Sequence, residues 1–228
     1  MKDNSRNNKT NEQLAKSSVK KAVDGVYDLI MGNALFMLFN LHILLFLLFY
    51  NPTNIVMYYL YMALLSLNLL PSYSALLYAV SRKREEGKGI FKDFVKGYRE
   101  NLKSSLLIGL LGAVLITFTL YNALFFYISE MNLVYMLLQL LIFFMLFALL
   151  ATVPVMVHEK GTLKEVLGKT MNRFFRLMLG AAAAVVILIM SVYLGRIVIM
   201  TLIFGFALAA MAQNALYFRL LGQSQNRI

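Results

Sequence analysis

The chain predicts an all-α membrane protein, with six transmembrane helices in three hairpins and amphipathic interfacial helices on the cytoplasmic side. Three observations predict it. Apolar residues fill 60% of the 228 positions, charged residues only 14%, and mean hydropathy is +0.69, far from a soluble domain. Six apolar stretches run from Leu29 to Tyr50, Ile55 to Val80, Ser105 to Ile128, Leu133 to Val157, Leu177 to Leu194 and Ile197 to Leu216. Each is long enough for a bilayer, which takes about 20 residues at 1.5 Å per residue. The positive charge then sets direction: six Lys or Arg precede the first stretch, eight lie between the second and third, five between the fourth and fifth, and two in the tail, with Arg196 alone on the other side. The positive-inside bias places both termini in the cytoplasm of a multi-pass cell-membrane protein.

Taken in order, residues 1–13 form a polar arm expected to be disordered, 14–221 the integral domain, and 222–228 a cytoplasmic tail. The arm lacks the short apolar core and cleavage pattern of a signal peptide, so the first span is expected to be retained. From Leu14, the residues Ala15, Val19, Ala22, Val23, Val26 and Ile30 recur at helical spacing with Lys16, Lys20, Lys21 and Asp24 between them, predicting an amphipathic helix that enters the first span. The pattern returns before the third span, where Phe91, Phe94, Val95, Tyr98 and Leu102 make an apolar stripe opposite Lys92, Asp93, Lys96, Arg99, Glu100 and Lys103. Before the fifth span, Leu163, Val166, Leu167, Met171 and Phe174 stand opposite Lys164, Lys169, Arg173 and Arg176. Both stripes are expected in the inner headgroup layer, the eight basic residues meeting anionic lipid at about 1 kcal/mol each.

The second and third of these segments align: Gly89, Lys92 and Asp93 with Gly161, Lys164 and Glu165, then Asn101 and Gly109 with Asn172 and Gly180. Duplication of a hairpin unit and chance repetition of basic, amphipathic and apolar blocks both account for it. The outer turns are short, at Asn51–Asn54 with Pro52, at Ser129–Asn132, and at Gly195 and Arg196. Pro71 and Pro154 fall inside the second and fourth spans, as structural kinks or hinges. Gly109, Gly112, Gly180, Ala184, Gly205 and Ala209 let helices approach closely, within the bundle or across a dimer.

The formal charge of +11 does not point to nucleic acid, because the basic residues are dispersed over helix ends and mixed with acids. Enzyme chemistry is poorly supplied. There is no cysteine, only two histidines, no glycine loop for phosphate, and no carboxylate inside the spans, so no catalytic residue, metal or cofactor is expected. The polar residues within the spans are the remaining signals: Asn33 and Asn40 on one face of the first, Asn68 in the second, Gln139 in the fourth, Gln213 and Asn214 in the sixth. Asn33, Asn40, Asn68 and Gln139 either bond helices together or line a polar cavity. His42 lies about 200° around a regular helix from Asn40 and so is expected outside that site. His158 is expected to be solvated at the interface beside Glu159.

The run ProSerTyrSerAlaLeuLeuTyrAlaVal from Pro71, Arg82 to Arg84, and GIFKDFVKGYRENLKSS from Gly89 resembles the YesL-like family of bacterial integral membrane proteins. Asn40, Val153-Pro154-Val155 and ThrLeuLysGluValLeu from Thr162 fit as well, while His158 and Glu159 depart from it. The resemblance implies a domain of unknown function, often associated with carbohydrate uptake and degradation in Gram-positive bacteria, and supplies no catalytic residues. Two functions from different classes follow. An accessory or scaffold protein docked on a membrane transport complex predicts a lipid-facing apolar groove for a partner helix. A small-solute transporter or channel predicts a continuous polar path through Asn33, Asn40, Asn68 and Gln139.

The absence of cysteine makes the topology testable. Single cysteines at Asn54, Asn132 and Arg196 are expected to react with an impermeant thiol reagent on intact cells, and cysteines at Lys88 and Lys164 to stay unlabelled. Labelling at either lysine position reverses the map.

Overall fold

A computed structural model describes residues 2–50, 54–82, 89–159, 161–195 and 201–221. The expected turn residues Pro52 and Arg196, the loop at Lys88 and the tail 222–228 lie outside them. All regular structure among the described residues is helical: α1 (Lys2–Phe39), α2 (Leu41–Phe49), α3 (Ile55–Ser66), α4 (Leu69–Ser81), α5 (Ile90–Ile128), α6 (Asn132–Glu159), α7 (Leu163–Asn172), α8 (Phe174–Gly195), a π-helical turn Thr201–Gly205, and α9 (Phe206–Leu221). Five segments among them have the length and apolarity to cross a membrane. They are six if Val23–Phe39 and Leu41–Phe49, which meet at a 60° bend, form one span.

Three features differ from the expected plan. Residues 2–13, expected as a disordered arm, form the first turns of α1. The first two spans are each broken, at Asn40 between α1 and α2 and at Leu67–Asn68 between α3 and α4. Pro71 accounts for the second break. It lacks an N–H and its ring crowds the carbonyl four residues earlier, at Leu67, so the chain restarts as a new helix with Pro71 in its first turn.

The third difference concerns the basic segment before the third span, which is not a separate interfacial helix. It is continuous with that span in the 39-residue α5, about 58 Å long at 1.5 Å per residue. Its inward face is Ile90, Asp93, Phe94, Gly97 and Asn101, all buried against protein, while Lys92, Lys96, Arg99 and Lys103 are exposed. Phe91 of the expected stripe points outward, 56% exposed. The corresponding segment before the fifth span is a separate helix, α7, started by Thr162 Oγ1 accepting from the Glu165 N–H and ended at Arg173.

The core lies around α4. Residues 71–79 are all buried, with Leu76, Leu77 and Tyr73 packed among Leu35 and Phe36 of α1, Phe94 of α5, Val153 of α6 and Ala207 of α9. A second cluster joins Ile108, Phe147, Ala151, Val155, Leu177 and Tyr217 of α5, α6, α8 and α9. The small residues serve packing within the chain: a methyl on Gly112 would stand 2.6 Å from Leu149 of α6, and one on Gly180 would touch Gln213 of α9. The turn from α5 to α6 closes with Met131 N–H donating to Phe126 O and Glu130 N–H to Tyr127 O, and Glu130 takes the left-handed conformation at φ 56°.

Between α4 and α5 a Cβ on Gly97 would fall 2.7 Å from the Tyr78 Cβ, an atom fixed to the backbone, whereas Gly112 faces the flexible tip of Leu149. Gly97→Ala is therefore expected to force the helices apart and cost about 1–3 kcal/mol. Gly168 on α7 has open space around it, so Gly168→Ala is expected to be neutral or stabilising by up to about 1 kcal/mol. Thermal unfolding of the two variants in one detergent checks the contrast.

Candidate functional site

Broken helices leave backbone carbonyls without intrahelical partners, and in an apolar medium each must find a donor. Polar side chains within the apolar stretches supply them. Asn68 Nδ2 donates to Phe39 O at 2.6 Å, the carbonyl at the end of α1. His42 Nε2 lies 3.1 Å from Leu65 O near the end of α3; a carbonyl only accepts, so this nitrogen carries the hydrogen. Each break is thus closed by a side chain from the other. Asn40 Nδ2 donates to Phe36 O at 2.8 Å and to Ser72 Oγ at 2.7 Å, and Tyr98 of α5 donates to Asn68 Oδ1 at 2.7 Å. His42, expected outside this site, belongs to it, because the bend at Asn40 removes the regular helical phase on which that expectation rested.

Asn33 serves another break. Its Oδ1 accepts from the backbone N–H of Phe206 at 2.9 Å and of Ala207 at 3.2 Å, capping the first turn of α9 from a different helix. Gln213 answers Pro154: its Nε2 donates to Leu150 O at 2.8 Å, the carbonyl four residues before the proline, and its Oε1 accepts from Tyr73 at 2.9 Å. Pro154 therefore stays inside an unbroken α6. Gln139 stands apart. It is exposed and donates to Tyr135 of its own helix at 2.5 Å, so the four residues expected to share a cavity do not form one group. Ser72, Tyr73 and Tyr98 were not expected as hydrogen-bonding partners; for Gln213 the signal was the Leu150 carbonyl, four residues before Pro154.

At the charged end, Glu159 of α6 gathers Lys169 of α7 at 3.2 Å, Arg173, and the Tyr217 hydroxyl of α9 at 2.7 Å. Lys169 and Arg173, expected as lipid contacts, are ion-paired there. Beside them His158 stacks on Tyr217 at 4.9 Å and bonds Asn214 Oδ1 at 2.7 Å, so it is packed rather than solvated. Arg82 pairs with the buried Asp93 at 3.1 Å. Lys92, Lys96, Arg99, Lys103, Lys164 and Arg176 lie on the exposed surface, with Lys96 3.7 Å from Glu100.

Away from that end, a lateral groove of about 510 Å³ opens between α3, α5 and α6. Its lining is apolar apart from the hydroxyls of Tyr59, Ser66 and Thr117, and Ser66 is bonded to Ala63 O. Among the described residues no three His, Cys, Asp or Glu side chains come together as a metal site.

The helices and their buried, mutually satisfied amides define a multi-helix protein built for an apolar medium. Residues 29–123 match a family described as "Protein of unknown function, DUF624". That stretch spans both broken helices, α4 and most of α5. No curated protein and no solved structure matches the chain.

The pairing of Gln213 with Pro154 has a measurable consequence. Gln213→Leu leaves Leu150 O without its donor and is expected to cost about 1–3 kcal/mol. Pro154→Ala restores a backbone N–H, so in that background the same change is expected to cost at least about 1 kcal/mol less. Unfolding of the four proteins in mixed micelles measures it, and additivity within about 0.5 kcal/mol would refute the assignment.

Proposed function

We propose that the protein is an accessory membrane protein that seats one apolar transmembrane helix of a partner complex in the lateral groove. The observation that carries this reading is the groove itself, about 510 Å³ in volume and walled almost wholly by apolar side chains. Ala63 of α3 and Ala113 of α5 lie along it, and small residues are what lets one helix backbone approach another in lipid. The resemblance to the YesL-like family directs the proposal to a complex of carbohydrate uptake. The two termini are taken as cytoplasmic, with the exposed Lys92, Arg99, Lys103, Lys164 and Arg176 toward the anionic inner leaflet. The reading as a transporter or channel draws less support, because Asn33, Asn40 and Asn68 are occupied in closing helix breaks and Gln139 is remote from them.

A photo-crosslinking amino acid placed at Ala113 or Thr117, in membranes of the producing cell, tests it. The expected result is an adduct with an integral membrane component of a solute importer, several-fold stronger than from Leu137 on the exposed face of α6, which is 57% exposed. Adducts with lipid alone at all three positions would overturn the docking role. Solute flux by the purified protein in liposomes would favour the transporter.

A further inference from the structure

The two breaks have a property that the capping of carbonyls does not use: they lie side by side and isolate the same piece of the molecule. Beyond them, α2 and α3 are bound to each other by an aromatic stack, Phe46 on Tyr50 at 4.4 Å and on Tyr58 at 5.9 Å. The rest of the molecule covers them only shallowly. No residue of α3 is buried, and Ile43 alone is buried in α2.

The contact of α3 with α5 is a narrow line. Ala63, Ala113 and Thr117 border the 510 Å³ groove and equally a second apolar recess of about 410 Å³. On α3 the groove takes Tyr59, Met62 and Ser66, while the recess takes Leu60 and Leu64 and, just beyond the helix end, Leu67. At about 100° per residue these sets flank Ala63 on opposite sides of the helix. So α3 rests on α5 through small side chains, with unfilled space to the left and to the right.

We infer that α2 and α3 swing as one lid on the paired breaks, with Asn40, His42, Asn68 and Tyr98 as its hydrogen-bonded joint and Ala63 as its bearing on α5. Tilting α3 toward Tyr59 narrows the groove and widens the recess, and tilting it toward Leu60 does the reverse. A tilt of about 15° carries the far end of this helix, about 18 Å long, through about 5 Å. Movement of this kind belongs to the microsecond to millisecond range of hinge motions. The joint is suited to it because side-chain hydrogen bonds, unlike a continuous helical ladder, can re-form at a new angle. The lid sets the width of the groove whatever occupies it, so this inference goes beyond the docking role and does not require it.

Pulsed electron–electron spin resonance on the purified protein in lipid nanodiscs tests it, since the chain contains no native cysteine to remove. One pair of spin labels, at Val56→Cys and Met136→Cys, measures α3 against α6; a control pair at Val114→Cys and Leu140→Cys measures α5 against α6. All four native residues are exposed. The expected result is a distance distribution for the first pair broader than the control by about 5 Å, which Asn68→Ala broadens or shifts further while the control stays unchanged. Tyr98→Phe, which removes a single hydroxyl, is expected to act in the same direction and serves if the Asn68 variant does not fold. Distributions equally narrow for the two pairs, in native and variant proteins, would overturn the inference, as would broadening of both together. Because no partner is present, this outcome is independent of the crosslinking result.

Discussion

Everything in this molecule depends on one constraint: a backbone carbonyl released from its helix in an apolar medium must be given a donor. The chain interrupts or weakens its helices at Asn40, at Leu67–Asn68, at Pro154 and before Phe206. At the first three a carbonyl is met by an amide or an imidazole of another helix, and before Phe206 the backbone N–H groups donate to the amide oxygen of Asn33. The polar residues are few, and almost all are committed to this task. Their geometry is thus a record of where the backbone departs from regularity.

This commitment shapes what the interior can do. An amide whose oxygen and nitrogen are both bonded, as in Gln213, has little left to offer a solute, and removing either partner leaves a buried group unsatisfied. The larger recesses lie instead on the flank, where α3 leans on α5 and the lining is apolar. The charged end is organised differently. There Glu159 draws α6, α7 and α9 together, and the basic surface of α5 is left outward.

The helical class and the apolar spans were legible because they rest on composition and on period, which need no partner. The breaks were less so. The sequence from Leu29 to Tyr50 reads as one apolar stretch, and Asn40 within it has the same residue type whether it bends a helix or faces a cavity. His42 shows the cost: its angular distance from Asn40 holds only for an unbent helix, and the 60° bend voids it. Gln139 shows the reverse case, an amide in a span that bonds its own helix. The stripe before the third span had the amphipathic period of an interfacial helix, yet period does not say whether lipid or protein covers the face. Tyr78 and Gly97, which settle that question by their fit, lie on different helices.

The unbroken length of α5 has a mechanical meaning. At about 58 Å it is nearly twice the thickness of a hydrocarbon core, about 30 Å, so one stiff rod reaches from the basic surface into the depth of the bundle. Tyr98, which grips Asn68, sits on that rod within a turn of the exposed Lys96 and Arg99. A helix resists bending over so short a span. Force applied to the basic surface therefore reaches Asn68 without slack, as a pull on one end of a strut moves the bracket fixed near it.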